Sequence, residues 1–180
     1  MCVSLTNIKK LPCTVTNPGG NLRLMLIGEE DLIQPLEVQD PLTGKYSITP
    51  ASLLAALAPG KMFAEFEFSK DACEGKYEAQ GEPDNRSFKH SVTADIAGYS
   101  KTIEDALMQF AHQQVVAILK HRDKLLVQYG SKEQPLEVKF SGTTGKKAGD
   151  KRANMFTFEI EGLPFIPITI PAASVVPVLP

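Results

Sequence analysis

Residues Ser87 to Ile96 read SFKHSVTADI, and this stretch decides the fold. Phe88, His90, Val92, Ala94 and Ile96 alternate with Ser87, Lys89, Ser91, Thr93 and Asp95. A period of two places one set on each face of a pleated strand. Such a segment is half-buried, with one apolar and one wet face, as in an antiparallel sheet.

The same period recurs on both sides. Met62, Ala64, Phe66 and Phe68 are apolar around Lys61, Glu65 and Glu67. Leu136, Val138 and Phe140 alternate with Glu137 and Lys139, and Phe156, Phe158 and Ile160 with Thr157, Glu159 and Glu161. Leu22–Ile27, Val115–Lys120 and Leu125–Tyr129 are more continuously apolar and predict more fully buried strands. His121–Lys124 joins two of these and predicts a hairpin turn.

A helical period replaces the alternation at one place. Ile103, Ala106, Leu107, Phe110 and Ala111 form one apolar stripe, which predicts a helix over Thr102–His112. Ser100 or Thr102 can cap it, and Glu104 and Asp105 suit its positive end. Pro50–Ala58 predicts a short second helix, ended by Pro59-Gly60. The order strands, helix, strands predicts a mainly β domain over residues 1–162, a sandwich or barrel with one packed helix. An alternating βαβ arrangement, with its nucleotide crevice, is excluded.

Two segments break the pattern. Ser141–Lys151, SGTTGKKAGDK, is a polar glycine-rich loop between strong strands, and it is long for a hairpin. Residues 163–180 contain Pro164, Pro167, Pro171, Pro177 and Pro180 and no charged side chain. Proline blocks helix and central strand alike, so this is an extended apolar arm. Its side chains need a surface to pack on, either the chain's own barrel or, as the favoured expectation, a neighbouring molecule.

Composition narrows function further. The chain has 180 residues, 43% of them hydrophobic, and a formal net charge of −2. No basic excess points to sequence-specific nucleic-acid binding. Cys2, Cys13 and Cys73 have no motif spacing and read as reduced thiols. Met1–Leu5 is too short an apolar run for a signal peptide, and no stretch is long enough for a transmembrane helix.

Motifs of chemistry fail in turn. Gly142–Lys147 superficially suggests a phosphate loop. Phe140 stands where the first glycine belongs, however, and Lys147 where Ser or Thr should follow Lys146. His90, His112 and His121 have no metal-ligand spacing, and His90 lies on an apolar strand face as a core or interface histidine. No nucleophile elbow is present. Glu65, Glu67, Glu159 and Glu161 line wet strand faces or, more sharply, a lumen. No enzyme, cofactor or metal is expected.

The order of features resembles a known family. Cys2-Val3-Ser4-Leu5-Thr6, Leu11-Pro12-Cys13 and Gly19-Gly20 before an apolar strand resemble the start of tail-tube proteins of phages of Bacteroides-like hosts. The second half is similar too: a long strand, a helix, a strand pair, then SGTTGKKAGDKRANMFTFEIEG over Ser141–Gly162. Arg152-Ala153-Asn154 departs from the Asn-Gly or Ser-Gly often seen there.

The resemblance implies a virion protein, made in the host cytoplasm, in the phage tail or in a ring near the portal. Such proteins join sheets edge to edge into closed rings, commonly of six, through which DNA passes without sequence-specific binding. Assembly partners would be copies of the chain and neighbouring tail or portal-side proteins, with no membrane. The candidate assembly loop is Gly142, Gly145, Lys146, Lys147, Gly149, Asp150, Lys151 and Arg152. Its cations would meet acidic surface on a neighbour. The candidate assembly arm is Phe165, Ile166, Ile168, Ile170, Val175 and Val176. The rival from another class is a monomeric β-barrel with an apolar internal pocket for a small ligand.

Overall fold

A computed structural model describes residues 20–66, 68, 71–82, 84–97, 113–143, 153–171 and 176–178. Among the described residues there are eleven strands, one short α-helix and a 3-10 turn at Glu29–Asp31. The strands are β1 (Asn21–Gly28), β2 (Val38–Gln39), β3 (Tyr46–Ser47), β4 (Ala64–Phe66), β5 (Cys73–Gln80) and β6 (Ser87–Ala97). After them come β7 (Gln114–His121), β8 (Leu126–Tyr129), β9 (Leu136–Thr143), β10 (Ala153–Leu163) and β11 (Ile168–Ile170). Helix α1 spans Pro50–Ala55.

Nine strands form one sheet, in the order β11-β8-β7-β9-β10-β6-β5, with β1 on the other edge of β7 and β4 beyond it. Every strand pair in it is antiparallel. The strands predicted at Phe88, Leu136 and Phe156 are therefore immediate neighbours, as β6, β9 and β10. Their registers align apolar rows across the sheet. Cys73, Ala94, Phe156 and Phe140 form one row, and Gly75, Val92, Phe158 and Val138 the next. Large residues thus lie beside small ones. Gly75 is required: a Cβ there would stand 2.5 Å from Tyr129 Oη and 2.6 Å from Leu119 Cδ1 on the facing strands. The sheet curls until Asn21 Nδ2 donates to Cys73 O at 2.9 Å, which brings β1 beside β5.

Inside the curl lies a core of Leu24, Leu26, Phe66, Val92, Leu119, Phe156 and Phe158, among others. Phe66 meets Phe156 edge-on, with ring centroids 4.8 Å apart. A second core lies on the outer face of β1 and β7, where Met25, Ile27, Val116 and Ile118 point away from the first. Residues 29–63 cover that face with Leu32, Leu36, Ile48, Leu53, Ala56 and Phe63. Helix α1 belongs to this cover. Thr49 caps it: its hydroxyl accepts from the Ser52 N–H, and Ser52 Oγ accepts from the Thr49 N–H, both at 3.0 Å.

The C-terminal segment completes the cover, which corrects the expectation of an arm held by a neighbour. Leu163 is the last residue of β10 and is fully buried, so the boundary after residue 162 falls inside a strand. Ile168–Ile170 pairs with β8 between Pro167 and Pro171, an edge position where proline is tolerated. Phe165, Ile168 and Ile170 are at most 8% exposed in the chain's own core. The reason is physical: the outer face of β1 and β7 is as apolar as the inner one, and an attached segment covers it without the entropy loss of association.

One further expectation changes, and one is not reached. Strand β4 begins only at Ala64, leaving Met62 41% exposed. The helix expected over Thr102–His112 lies outside the described residues.

Candidate assembly surfaces

Of the candidate loop, the described part is a strand. β9 continues through Thr143, so Gly142 pairs with Asn154 inside the β9–β10 ladder. An added Cβ at Gly142 would meet Asn154 Oδ1 at 2.8 Å, so this glycine makes room for a buried amide. Gly145, Lys146, Lys147, Gly149, Asp150, Lys151 and Arg152 lie outside the described residues. Of the candidate arm, Phe165, Ile168 and Ile170 are buried at home. Val176 is half-buried, Ile166 is 49% exposed, and Val175 lies outside the described residues.

The outer face of β9, β10, β6 and β5 is polar, as the alternation predicts. An ion-pair chain crosses it. Lys139 pairs with Glu159, Lys89 Nζ lies 3.3 Å from Glu159 Oε2, and the same ammonium lies 2.8 Å from Glu161 Oε1. Lys139 holds the Glu159 carboxyl below its ordinary range, with Lys89 adding to the effect. Lys89 does the same to Glu161. Glu65, which alternation also places on a wet face, pairs with Arg23 at 3.1 Å; Glu67 lies outside the described residues. The register puts Glu74, Glu78 and Glu137 on the same face as Lys76, Lys89 and Lys139. This face is therefore mixed in sign and not basic.

Strand β5 forms the edge of this face. Among the described residues it pairs with β6 alone over eight residues. The sequence reading did not single it out: Cys73, Gly75, Tyr77 and Ala79 do alternate with Glu74, Lys76, Glu78 and Gln80, but the set is weakly apolar and has no β-branched residue. Only Cys73 of β5 is buried, and the strand exists because β6 offers it a ladder. Burial raises the Cys73 thiol to about 12, so it is an inert core side chain. Cys2 and Cys13 lie outside the described residues.

His90 is a satisfied core histidine. Its Nε2–H donates to Phe165 O at 2.9 Å, and its Nδ1 accepts the Gly130 N–H at 3.2 Å. These bonds fix the neutral tautomer. Burial lowers the imidazole to about 4, against a smaller upward pull from the Phe165 carbonyl. The ring thereby ties β6 to the turn after β8 and to the C-terminal segment. His121 ends β7, and His112 lies outside the described residues.

Among the described residues no group of three or more His, Cys, Asp or Glu side chains stands close enough to hold a metal ion. Nor is any helix among them long and apolar enough to cross a membrane. No family model matches the chain, and no curated protein or solved structure matches it either.

Proposed function

We propose that the chain is a structural subunit that assembles with copies of itself into a ring, of the kind that forms a phage tail tube or a head-to-tail connector through which DNA passes. The observation that carries this reading is the β5 edge: eight residues of strand, paired on one side among the described residues. An edge of that length presents backbone donors and acceptors that a second sheet satisfies, and a ring of sheets leaves no edge exposed.

The mixed, non-basic face beside that edge suits a lumen. Phosphate would bind to a cationic wall and be retained, whereas the Lys139–Glu159–Lys89–Glu161 chain occupies its own cations. The loop cations Lys146, Lys147, Lys151 and Arg152 then serve register between subunits, where rim charge mainly sets on-rate. A monomeric ligand-binding barrel is less well supported, since Phe66, Phe156 and Phe158 fill the interior of the curl.

Size-exclusion chromatography with light scattering, followed by electron microscopy, tests the reading. The expected result is a closed ring of several copies, alone or on addition of neighbouring virion proteins. A chain that stays monomeric at high concentration and with such partners overturns it.

A further inference from the structure

The β2–β3 hairpin, the loop 131–134 and the start of the C-terminal segment enclose a cleft of about 460 Å³. Glu37, Gln39, Tyr46, Glu133, Gln134 and Phe165 are among its walls. Its chemistry is one-sided. Glu37 is only 8% exposed, yet among the described residues its carboxylate has no cation within ion-pair distance and accepts a hydrogen bond from Gln128 Nε2 alone, at 2.7 Å. Buried carboxylates are ordinarily paired with a cation.

Gln128, fully buried, makes the imbalance larger. Its second amide N–H goes to Gly130 O at 2.8 Å, which fixes the amide orientation, because the reverse would set its carbonyl against two acceptors. Gln128 Oε1 is left as a buried acceptor with no donor. The Glu133 carboxylate, on the same cleft, is unpaired as well; its residue's hydrogen bond is a backbone one to Ser131 Oγ. The cleft thus carries two carboxylates and no cation among its walls, with the unpaired Gln128 carbonyl buried behind Glu37. The complement is a group that has only donors and carries a positive charge.

Of the two such side chains, arginine fits better. Its guanidinium carries five donors in a plane and no acceptor, and it stacks on aromatic rings. Tyr46 and Phe165 stand together at the cleft with ring centroids 4.6 Å apart. A planar cation lying against them would sit in the cleft that both carboxylates line. We propose that this cleft is a receptor for an arginine side chain presented by another polypeptide. The inference rests on the cleft alone and is independent of ring assembly.

Titration of the full chain with acetyl-Gly-Arg-Gly-amide, followed by nuclear magnetic resonance, tests it. The series should reach about 10 mM, because one or two charge-assisted contacts give a Kd near the millimolar range. The expected result is a saturable shift of the Gln128 side-chain amide and of the Ser131 and Gln134 backbone amides. The same peptide with neutral citrulline should bind at least about tenfold more weakly. Glu133→Gln lies at an exposed position and keeps the fold. It should weaken the arginine peptide several-fold, and Glu37→Gln, checked for an unchanged melt, should weaken it more. No saturable shift, equal binding of the citrulline peptide, or indifference to both substitutions overturns the proposal. Tighter binding of spermidine than of the arginine peptide also overturns it, since a flexible polycation would then be the better ligand.

Discussion

In β7 the consecutive residues Val115 to Leu119 are all buried, whereas in β10 burial alternates: Phe156 and Phe158 inside, Met155 exposed and Thr157 between. Both strands lie in the same sheet, two apart. The difference is what covers their outer faces. Residues 29–63 and the C-terminal segment lie over β1 and β7, while the outer side of β10 meets solvent and the ion-pair chain. One sheet therefore serves as the middle layer of a doubly covered core at β1–β7 and as a wet wall at β9–β10–β6–β5.

The largest expected effect breaks the cover. Deleting Ile168 to Pro180 removes two buried isoleucines, each worth about 1.5–3 kcal/mol, and exposes the Ile27 and Ile118 face. The monomer should lose more than about 5 °C in Tm by calorimetry. An unchanged Tm would show that the segment does not belong to its own core.

Next come adjacent pairs within a strand. Ile118→Ala and Leu119→Ala should each cost about 2–5 kcal/mol in urea unfolding, because both side chains are fully buried. In β10, Phe158→Ala should cost about 3–5 kcal/mol, and Thr157→Ala only about 0.5 kcal/mol or less. Equal costs at 157 and 158 would contradict the one-sided burial of that strand.

His90 sharpens the comparison through pH, since it joins the two regions. Its native pKa is about 4 against an ordinary 6.5, so between those values the unfolded chain binds a proton that the native state refuses. Stability is thus full above about pH 6.5 and falls as pH drops toward 4, by roughly 3 kcal/mol in total. Urea midpoints measured across that window should decline for the parent chain and stay nearly flat for His90→Gln.

The smallest effect belongs to the wet wall. Glu159→Gln removes the centre of the ion-pair chain, where two ammonium groups meet, and should cost about 1 kcal/mol or less, with the loss shrinking in high salt. A larger, salt-independent loss would mean that this face is not solvated.

Much of the wet wall was legible in the sequence. Alternation at 87–96, 136–140 and 156–160 names β6, β9 and β10 and says which side chains face inward, because a pleat has a period of two. The continuous apolar runs in β1 and β7 declare that both faces are covered. They do not say by what. The candidate assembly arm was misplaced for that reason: its composition requires a surface, and only the fold reveals that the chain's own β1–β7 face was the one lacking cover. The acceptor-rich cleft was invisible for a related reason. Glu37 lies 91 residues before Gln128, and no local pattern relates it to the Gln128–Glu133 stretch.

The sequence by itself determined that this is a mainly antiparallel β protein, which residues of its alternating strands face the core, and that His90 is a structural histidine rather than a ligand. These follow from backbone periodicity and from the cost of burying an ion, both local rules. Tertiary structure alone decided that β5 forms, that residues 29–63 and 163–170 make a second core, and that an unpaired carboxylate lies buried in a cleft. Each of those depends on which distant surface was left uncovered once the strands had paired.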